Sequence, residues 1–329
     1  LISDFLKKHV EPKRTPRTFE LYTDVLQRIV VPALGSRRAV EIKRSDISKL
    51  HLAWSHTPFQ ANRMLAIVGS LYAWAQTEGR VPEDMNPARK IEKFKETHRE
   101  RLLTAAELER LGDALRDAET VGVPIVMDPD KKAKHVPKSK RVTTISPHAA
   151  AAIRLLLFTG ARLREILHLE WEHVNLERGL LLLPKSKTGA KTVVLNAPAI
   201  AVLQSLPRTG TYVIAGQKAG TLDEKPRTDL KRPWGVVIRH AGIENIRLHD
   251  LRHNFASFGV GGGMGLPVIG KLLGHSQAAT TNRYAHLGDD PLQRAANTIG
   301  ANIAAALGEG TDPDDVKGNI TALKARNDI

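Results

Sequence analysis

The residues best suited to chemistry lie near the C-terminal end of the chain, between positions 249 and 286. His249 and Arg252 are three positions apart, so on a helix both side chains share one face. A Leu-Gly-His triplet ending at His275 follows them, and then comes Tyr284, directly after an arginine. Arginine binds phosphate oxygens through two parallel hydrogen bonds, histidine exchanges protons near neutral pH, and tyrosine can act as a nucleophile. The combination predicts a site for chemistry on a phosphate group.

Each of these features alone has a simpler explanation. A His-x-x-Arg pair is usually a pair on a helix surface, a glycine after an apolar run commonly ends a helix, and a tyrosine usually belongs to the core or the surface. Here the segments HDLRH, LLGH and RYAH follow one another in this order. The combination resembles the C-terminal signature of the tyrosine recombinase (phage integrase) family. The resemblance implies a site-specific recombinase or integrase that integrates or excises a mobile element.

The resemblance also implies a reaction. Tyr284 would attack a phosphodiester of DNA, form a 3′-phosphotyrosyl link and free a 5′-hydroxyl, which later attacks the link on the partner strand. Bond energy is retained in the link, so no cofactor is expected. Arg252 would stabilise charge at phosphorus, His275 would add a hydrogen bond, and His249 would assist proton transfer at Tyr284. Asn254 stands where the family often has threonine, and we expect this departure to have a small effect.

A second arginine lies in the segment TGARLRE. An apolar helix is predicted to end at Thr159-Gly160, and Arg162 then falls in the first turn of a new helix, where backbone N–H groups also favour an anion. The segment resembles the first-arginine box of the same family, T-G-x-R-x-x-E. The resemblance implies that Arg162 binds the phosphate together with Arg252, and that Glu165 orients Arg162.

A β-hairpin is predicted where two strand-like runs, 180–184 and 192–196, flank the segment KSKTGAK. Lysines in such turns are generally only solvated. The Ser-Lys-Thr-Gly context of Lys187 resembles that of the family's catalytic lysine, which implies that Lys187 protonates the departing 5′-oxygen. Lys185 lies two positions earlier and would face the same side of a continuing strand, so periodicity alone does not separate the two.

Composition and charge bound the function from another direction. The 329 residues carry a formal charge of +14 with a pI near 10.0, which implies a polyanionic partner, and nucleic acid fits better than a membrane. The chain contains no cysteine, which excludes disulfides, cysteine-ligated zinc and a cysteine nucleophile. Its apolar runs are shorter than the roughly 18 residues of a membrane span. We expect a cytoplasmic, nucleoid-associated protein of bacterial or phage origin.

The predicted fold is mainly α with a small antiparallel β-sheet. Residues 1–86 read as a helical domain, with helices at 2–9, 15–31, 43–51 and 60–78, similar to the SAM-like core-binding domain of integrases. Four of its cations fall off the apolar stripes and are available to DNA phosphates, with solvated surface as the alternative. They are Lys43, Arg44, Lys49 and Arg63.

The remaining chain divides into a linker, a mixed α/β catalytic domain and a tail. Residues 87–101 are charged and poor in apolar residues, which predicts a basic linker. The catalytic domain spans 102–307 and opens with a capping box formed by Thr104 and Glu107. A Lys/Pro-rich insertion at about 121–147 either reaches toward DNA or is disordered. Residues 308–329 are predicted to form a loosely ordered C-terminal tail.

Two motifs are decoys, and two rival functions stay open. Residues 265–271 mimic a P-loop, but Leu272 stands where serine or threonine should bind Mg²⁺, so ATP use is not expected. The histidines lack metal-ligand spacing, so no metal is expected. The rivals are a type IB topoisomerase and a DNA-binding protein without catalysis. The resemblance implies double-stranded attachment sites, a homotetramer on DNA, and accessory DNA-bending or directionality factors as partners.

Overall fold

The computed structural model describes residues 1–97, 101–125, 142–186, 189–275, 277–285 and Ile303, with the backbone alone at 185–186. The chain divides into two compact units, Leu1–Arg99 and Glu100–Ile329. The described residues are mostly helical, with two small antiparallel sheets, which confirms the predicted fold class. Among them, no helix is long and apolar enough to cross a membrane.

The first unit is helical throughout its described residues. Its α-helices are α1 (Ile2–Phe5), α2 (Glu11–Lys13), α3 (Pro16–Val25), α4 (Val31–Leu34), α5 (Arg44–Ala53) and α6 (Pro58–Thr77). A π-helical turn, Leu6–Val10, joins α1 to α2, and another, Leu26–Val30, joins α3 to α4. Both continuous helical segments therefore run beyond the predicted ends at 9 and 31. A 3₁₀ turn, Ala39–Glu41, precedes α5.

Helix α6 forms the centre of the first unit, because its apolar residues recur at helical spacing and are buried, as in Met64 and Leu71. Part of the predicted linker packs on the same unit. The ring of Phe94 stacks on His51 with centroids 4.2 Å apart, and its backbone N–H donates to Asn62 Oδ1 at 3.0 Å. The boundary between the two units thus falls inside the predicted linker, at 99/100.

The second unit combines helices and sheets. Its helices are α7 (Ala105–Glu119), α8 (Pro147–Thr159), α9 (Leu163–Leu167), α10 (Ala197–Ser205), α11 (Lys231–His240), α12 (Asp250–Gly261), α13 (Leu266–Leu273) and α14 (Ala279–Asn282). A 3₁₀ turn spans Trp171–His173. The predicted capping box is present at the start of α7: Glu107 N–H donates to Thr104 Oγ1 at 3.2 Å, and Thr104 N–H donates to Glu107 Oε2 at 3.0 Å.

The strands form two antiparallel sheets. They are β1 (Val123–Pro124), β2 (Val142–Thr143), β3 (Val174–Asn175), β4 (Leu180–Ser186) and β5 (Gly189–Val194). Strands β1 and β2 pair at the base of the predicted insertion, whose residues 126–141 lie outside the described residues. Strands β4 and β5 form the predicted hairpin, with Leu180 opposite Val194. Outside these strands, Tyr212 forms an isolated antiparallel bridge with Glu170.

Two left-handed glycines end the helices that border the site. Gly160 ends α8 with φ 61°, and a Cβ there would lie 2.6 Å from the Phe255 ring and 2.8 Å from Leu273, so only glycine fits. Gly274 ends α13 with φ 70°. Because each glycine stops its helix abruptly, the terminal carbonyl groups are left free to bind a side chain from α12. The tail predicted at 308–329 lies outside the described residues.

Candidate active site

Arg252 is the buried centre of the site, with 4% of its surface exposed. Its Nη1 donates to the carbonyl of Gly160 at 2.6 Å and its Nη2 to the carbonyl of Leu273 at 2.8 Å. These bonds tie the ends of α8 and α13 to α12. Burial, together with the charge of Arg162, lowers the pKa of Arg252 to about 10, so the guanidinium stays cationic at neutral pH.

Glu165 connects the second arginine to a buried lysine. Its carboxylate accepts from the backbone N–H of Arg162 at 2.9 Å and from Arg162 Nη1 at 2.7 Å. Lys191 Nζ donates at 2.9 Å to Oε2 of the same carboxylate, the oxygen that also accepts from the Arg162 N–H. Burial alone would raise the pKa of Glu165, but the hydrogen bonds from Arg162 and Lys191 outweigh it and lower that pKa. Glu165 is therefore ionised and fixes both cations.

Lys191 is a member of the site that the sequence reasoning missed. It lies on β5 opposite the buried Leu183, and its side chain is 6% exposed. Its alkyl chain packs where a Cβ on Gly274 would lie, 2.5 Å from Cε. Burial lowers the pKa of Lys191, Glu165 opposes that shift, and Arg252 adds to it. A sequence signal exists, because Lys191 shares a strand face with the buried Val193 two positions on.

His275 follows Gly274 and is fixed by a buried threonine. Its Nδ1 lies 2.8 Å from Thr281 Oγ1. Burial, followed by the charge of Arg252, lowers the pKa of His275 to about 4, so the ring is neutral at physiological pH. With the Thr281 hydroxyl donating to Nδ1, the ring proton resides on Nε2, which is then a hydrogen-bond donor for a ligand.

Tyr284 is 3% exposed and packs in an apolar cluster with Val260, Ile269 and Leu273. Its hydroxyl lies 2.6 Å from His253 Nδ1. Burial raises the pKa of Tyr284, and the charges of Arg283 and Arg252 oppose that shift. The tyrosine is thus protonated in the free protein and has a histidine nitrogen in direct contact.

His249 contacts the ring of His253, the residue that lies next to the Tyr284 hydroxyl. It precedes the first residue of α12, and its ring meets His253 edge-on, with centroids 5.1 Å apart and planes at 84°. Burial, followed by the charge of Arg252, lowers the pKa of His249. In the described part of the chain, its side chain makes no hydrogen bond. No role was predicted for His253. It lies four positions after His249, and residues four apart share a helix face.

The structure therefore brings five of the six predicted site residues together. The charge of Arg252 acts on His249, His275 and Tyr284, and that of Arg162 acts on Arg252 itself. The predicted orienting residue, Glu165, is in the same place. Lys187 lies outside the described residues, as does the side chain of Lys185. The four predicted DNA-binding cations of the first unit, Lys43, Arg44, Lys49 and Arg63, are all exposed.

The structure also bears on the decoy motifs. In the P-loop mimic, Gly265 precedes α13 directly after the turn that ends α12, so within the described residues no strand leads into it. One group of possible metal ligands occurs in the described part of the chain: Glu170, Glu172 and His173, with ligand atoms within 4.8 Å of one another. Within this group, His173 Nε2 lies 3.5 Å from Glu172 Oε1.

Sequence comparisons match this region to known proteins. Residues 131–290 match the family model of the phage integrase family. The integrase of Salmonella phage P22 is 29% identical over 187 residues, which cover 50% of this chain and 48% of that protein. The tyrosine recombinase XerC of Xanthomonas campestris pv. campestris is 24% identical over 291 residues, which cover 84% of this chain and 81% of XerC. The chain thus spans about half of one relative and most of the other.

Solved structures share the fold. The lambda integrase dimer bound to a COC′ core site superposes with a TM-score of 0.66 at 16% identity, over 86% of this chain and 93% of that one. The lambda integrase tetramer bound to a Holliday junction gives a TM-score of 0.62 at 17% identity, over 84% of this chain and 76% of that one. At this level of identity, the likeness concerns the fold alone.

Proposed function

Because the chain belongs to the phage integrase family of tyrosine recombinases, we propose that it is a site-specific DNA recombinase acting through a covalent 3′-phosphotyrosyl intermediate. One observation carries this proposal. The buried Arg252 lies close enough to Arg162 and to Tyr284 for their charges to act on it, and the Tyr284 hydroxyl contacts a histidine. Such an arrangement suits nucleophilic attack on a phosphodiester. Its role would be to integrate or excise a mobile element.

In the first step, the Tyr284 oxygen attacks the phosphorus of a DNA phosphodiester and the bond to the 5′-oxygen breaks. Arg252 and Arg162 bind the non-bridging oxygens and stabilise the charge that develops there. Arg252 has five N–H groups, and two of them donate to carbonyl groups, so others remain to donate to a phosphate. His275 adds a neutral donor through Nε2.

Proton transfers complete the step. Lys187 protonates the departing 5′-oxygen, and His249 assists the transfer at Tyr284. The 5′-hydroxyl of the partner strand then attacks the phosphotyrosyl link and restores the tyrosine. The link retains the energy of the broken bond, so neither a nucleotide nor a metal ion enters the reaction. Cleavage should therefore survive EDTA and proceed without ATP.

The substrate is double-stranded DNA, and the charge of the chain supports this choice. The formal charge of +14 favours a polyanion, and the exposed cations Lys43, Arg44, Lys49 and Arg63 are available to backbone phosphates. Because lambda integrase has been solved as a tetramer on a Holliday junction, a homotetramer on DNA is the proposed working assembly. Accessory DNA-bending or directionality factors, and a cytoplasmic location at the nucleoid, complete the proposal.

Covalent trapping tests the proposal. Duplexes that span the junctions flanking the gene, nicked just 3′ of each candidate cleavage position, lose the 5′-hydroxyl fragment after cleavage and trap the protein. We expect an SDS-resistant adduct with the wild-type protein and none with Tyr284→Phe, whose DNA affinity should stay within about twofold because phosphate contacts dominate binding.

A matched control is Tyr212→Phe, since Tyr212 lies on the isolated bridge to Glu170, and it should form the adduct normally. An adduct with Tyr284→Phe would overturn the assignment of the nucleophile. Relaxation of any supercoiled plasmid regardless of sequence would favour the topoisomerase alternative.

A further inference from the structure

The immediate partner of the Tyr284 hydroxyl is His253, and the described residues give that hydroxyl no other hydrogen bond. We propose that His253 is a catalytic residue, which takes the proton of Tyr284 as the tyrosine attacks DNA and returns it when the strands rejoin. This inference rests on the proposed function, and it assigns the direct proton transfer to His253 in place of His249.

The geometry of the contact supports this role. His253 Nδ1 and Tyr284 Oη lie 2.6 Å apart, within the range in which a proton passes directly between two heavy atoms. Each of the two residues is also supported by neighbouring elements of the fold. His253 lies within α12, which Arg252 ties to two other helices, and the tyrosine ring packs against Val260 and Leu273. Packing and hydrogen bonds thus support both partners of this contact.

The tautomer also suits a base. Burial, followed by the charges of Arg283 and His249, lowers the pKa of His253 to about 4, and Asp250 opposes this shift. The ring is neutral at physiological pH, and in the tautomer that carries its proton on Nε2 the Nδ1 atom accepts from the tyrosine hydroxyl. The groups that face it are Arg283 beside the tyrosine, and His249, Asp250 and Arg252 on or next to α12.

The proton transfer depends on the substrate. In the free protein, the positive charges of Arg283 and Arg252 disfavour protonation of His253. A DNA phosphate bound to Arg162 and Arg252 adds negative charge beside Arg252, whose own charge acts on His253, and this favours the imidazolium form. The base therefore becomes effective only when DNA is bound, and this would protect the tyrosine from activation in its absence.

The step balances as follows. The Oη–H bond of Tyr284 breaks and an N–H bond forms at His253 Nδ1, while the Oη–P bond forms and the bond from phosphorus to the 5′-oxygen breaks. Lys187 supplies the proton for that oxygen. In rejoining, the 5′-hydroxyl attacks phosphorus and gives its proton back to Lys187, while the Oη–P bond breaks and the imidazolium of His253 returns its proton to Tyr284. His249, which touches the His253 ring edge-on, acts through His253.

The test compares His253→Asn with His249→Asn over a range of pH. The substrate is the nicked duplex with sulfur at the bridging 5′ position, because a thiolate leaves without a proton and the rate then reports on tyrosine attack. Asparagine can accept the tyrosine hydrogen bond but cannot take its proton. We expect His253→Asn to slow adduct formation about 10²-fold at pH 7.

The pH profile separates a base from a structural residue. Without the base, attack requires a tyrosine ionised by solvent, so the rate of His253→Asn should rise about tenfold per pH unit toward the tyrosine pKa, and the defect should shrink accordingly. His249→Asn should be slower than wild type by a factor that does not change with pH. Both variants should bind the duplex as tightly as the wild type, which checks folding.

Three outcomes would overturn the inference. They are an unchanged rate for His253→Asn, a loss that is the same at every pH, or a pH-dependent loss confined to His249→Asn. In each case, a wild-type adduct that Tyr284→Phe abolishes would leave the proposed function standing. Absence of any adduct with the wild-type protein would instead overturn the proposed function, and the role of His253 with it.

Discussion

The two sides of the site are built on different principles. The cation side, defined as Arg162, Glu165, Lys191 and Arg252, is held by ion pairs and by bonds to helix-terminal carbonyls. The tyrosine side, defined as His253, His275, Thr281 and Tyr284, is held by hydrogen bonds between neutral groups. The two sides meet at α12, which carries both Arg252 and His253, so the difference lies in charge rather than in position.

In the proposed function, this difference in charge makes the site depend on bound DNA. The cation side has three positive groups and one carboxylate, hence a net charge of +2 (three minus one), and buried cations are stable only when compensated. A phosphate supplies the missing negative charge. The tyrosine side has no charge of its own, so its nucleophile stays protonated until the phosphate arrives. Substrate binding is thus the event that joins the two sides.

The largest effect is expected from Arg252→Lys, which keeps the charge of the cation side but removes its geometry. A lysine cannot donate to both carbonyls and also hold two phosphate oxygens in a plane. We expect cleavage to fall by about 10³-fold, the scale of losing a positioned donor to the transition state. Single-turnover adduct formation measures it.

The salt dependence of DNA binding serves as the control, because a retained charge should keep its slope. A loss below about tenfold would mean that charge alone, without the bonds to the carbonyls of Gly160 and Leu273, organises the cation side.

The next effect concerns the lysines of the hairpin. Lys187→Ala should slow cleavage about 10²-fold, because it removes a positioned proton donor, and Lys185→Ala should cost little. Gly189, which follows the turn, has φ 101°, a conformation that favours glycine. The bridging phosphorothiolate substrate should rescue Lys187→Ala, since its leaving group needs no proton.

Lys191→Met is the matched comparison for this prediction. Its ammonium is engaged by Glu165, so its loss should disturb the cation side and should not be rescued by sulfur. Rescue confined to Lys185→Ala would identify Lys185 as the acid. If neither variant is rescued, Lys187 stabilises charge at phosphorus instead.

The sequence predicted the members of the site that belong to contiguous motifs. Arg162, His249, Arg252, His275 and Tyr284 follow recognisable short patterns, and the helices and the hairpin that carry them follow from periodicity and turn residues. The capping box at Thr104 is another local pattern of this kind. Local patterns transfer well because they depend on residues that are close along the chain.

The two missed residues depend on contacts between distant segments. Lys191 belongs to the site because β5 lies beside α9 and α13, which places its ammonium 2.9 Å from Glu165, 26 positions away. His253 contacts Tyr284 across 31 positions. A turn lysine and a helix histidine are usually solvated, so composition gave no reason to choose them. Strand alternation and the spacing of four positions from His249 were the available signals.

A smaller effect is expected from Glu165→Gln, which neutralises the single carboxylate of the cation side. The amide still accepts from the Arg162 N–H but cannot balance Lys191, so we expect a loss of about 1–3 kcal/mol in the free energy of unfolding at pH 7. Cleavage should fall only about tenfold, because both arginines remain. Urea denaturation of both proteins across pH measures the stability difference.

The sign of the pH dependence follows from the lowered pKa of Glu165. A carboxyl whose pKa is lower in the folded state contributes stability that is complete above its unfolded pKa, about 4.3, and is lost as pH falls through the folded value. The difference between wild type and Glu165→Gln should therefore be constant near neutral pH and shrink below about pH 4. A difference that grows on acidification would contradict an ionised Glu165.

The smallest effect should come from Asn254→Thr, which touches neither side and restores the residue that the family often has there. Asn254 is 1% exposed and lies on the opposite face of α12: its Oδ1 accepts from Leu103 N–H at 2.7 Å, and its Nδ2 donates to the Asp250 carbonyl at 2.8 Å. A threonine hydroxyl can still donate to the carbonyl four residues back, but it is too short to keep both bonds.

We expect Asn254→Thr to lose about 1–2 kcal/mol in the free energy of unfolding, the cost of one buried N–H without a partner, measured by urea denaturation. Adduct formation should stay within about threefold of wild type, because the bonds that Arg252 and His253 make on the other faces of α12 are unchanged. A much larger loss of cleavage would show that the anchoring of α12 to the start of α7 sets the distance between the cation side and the tyrosine side.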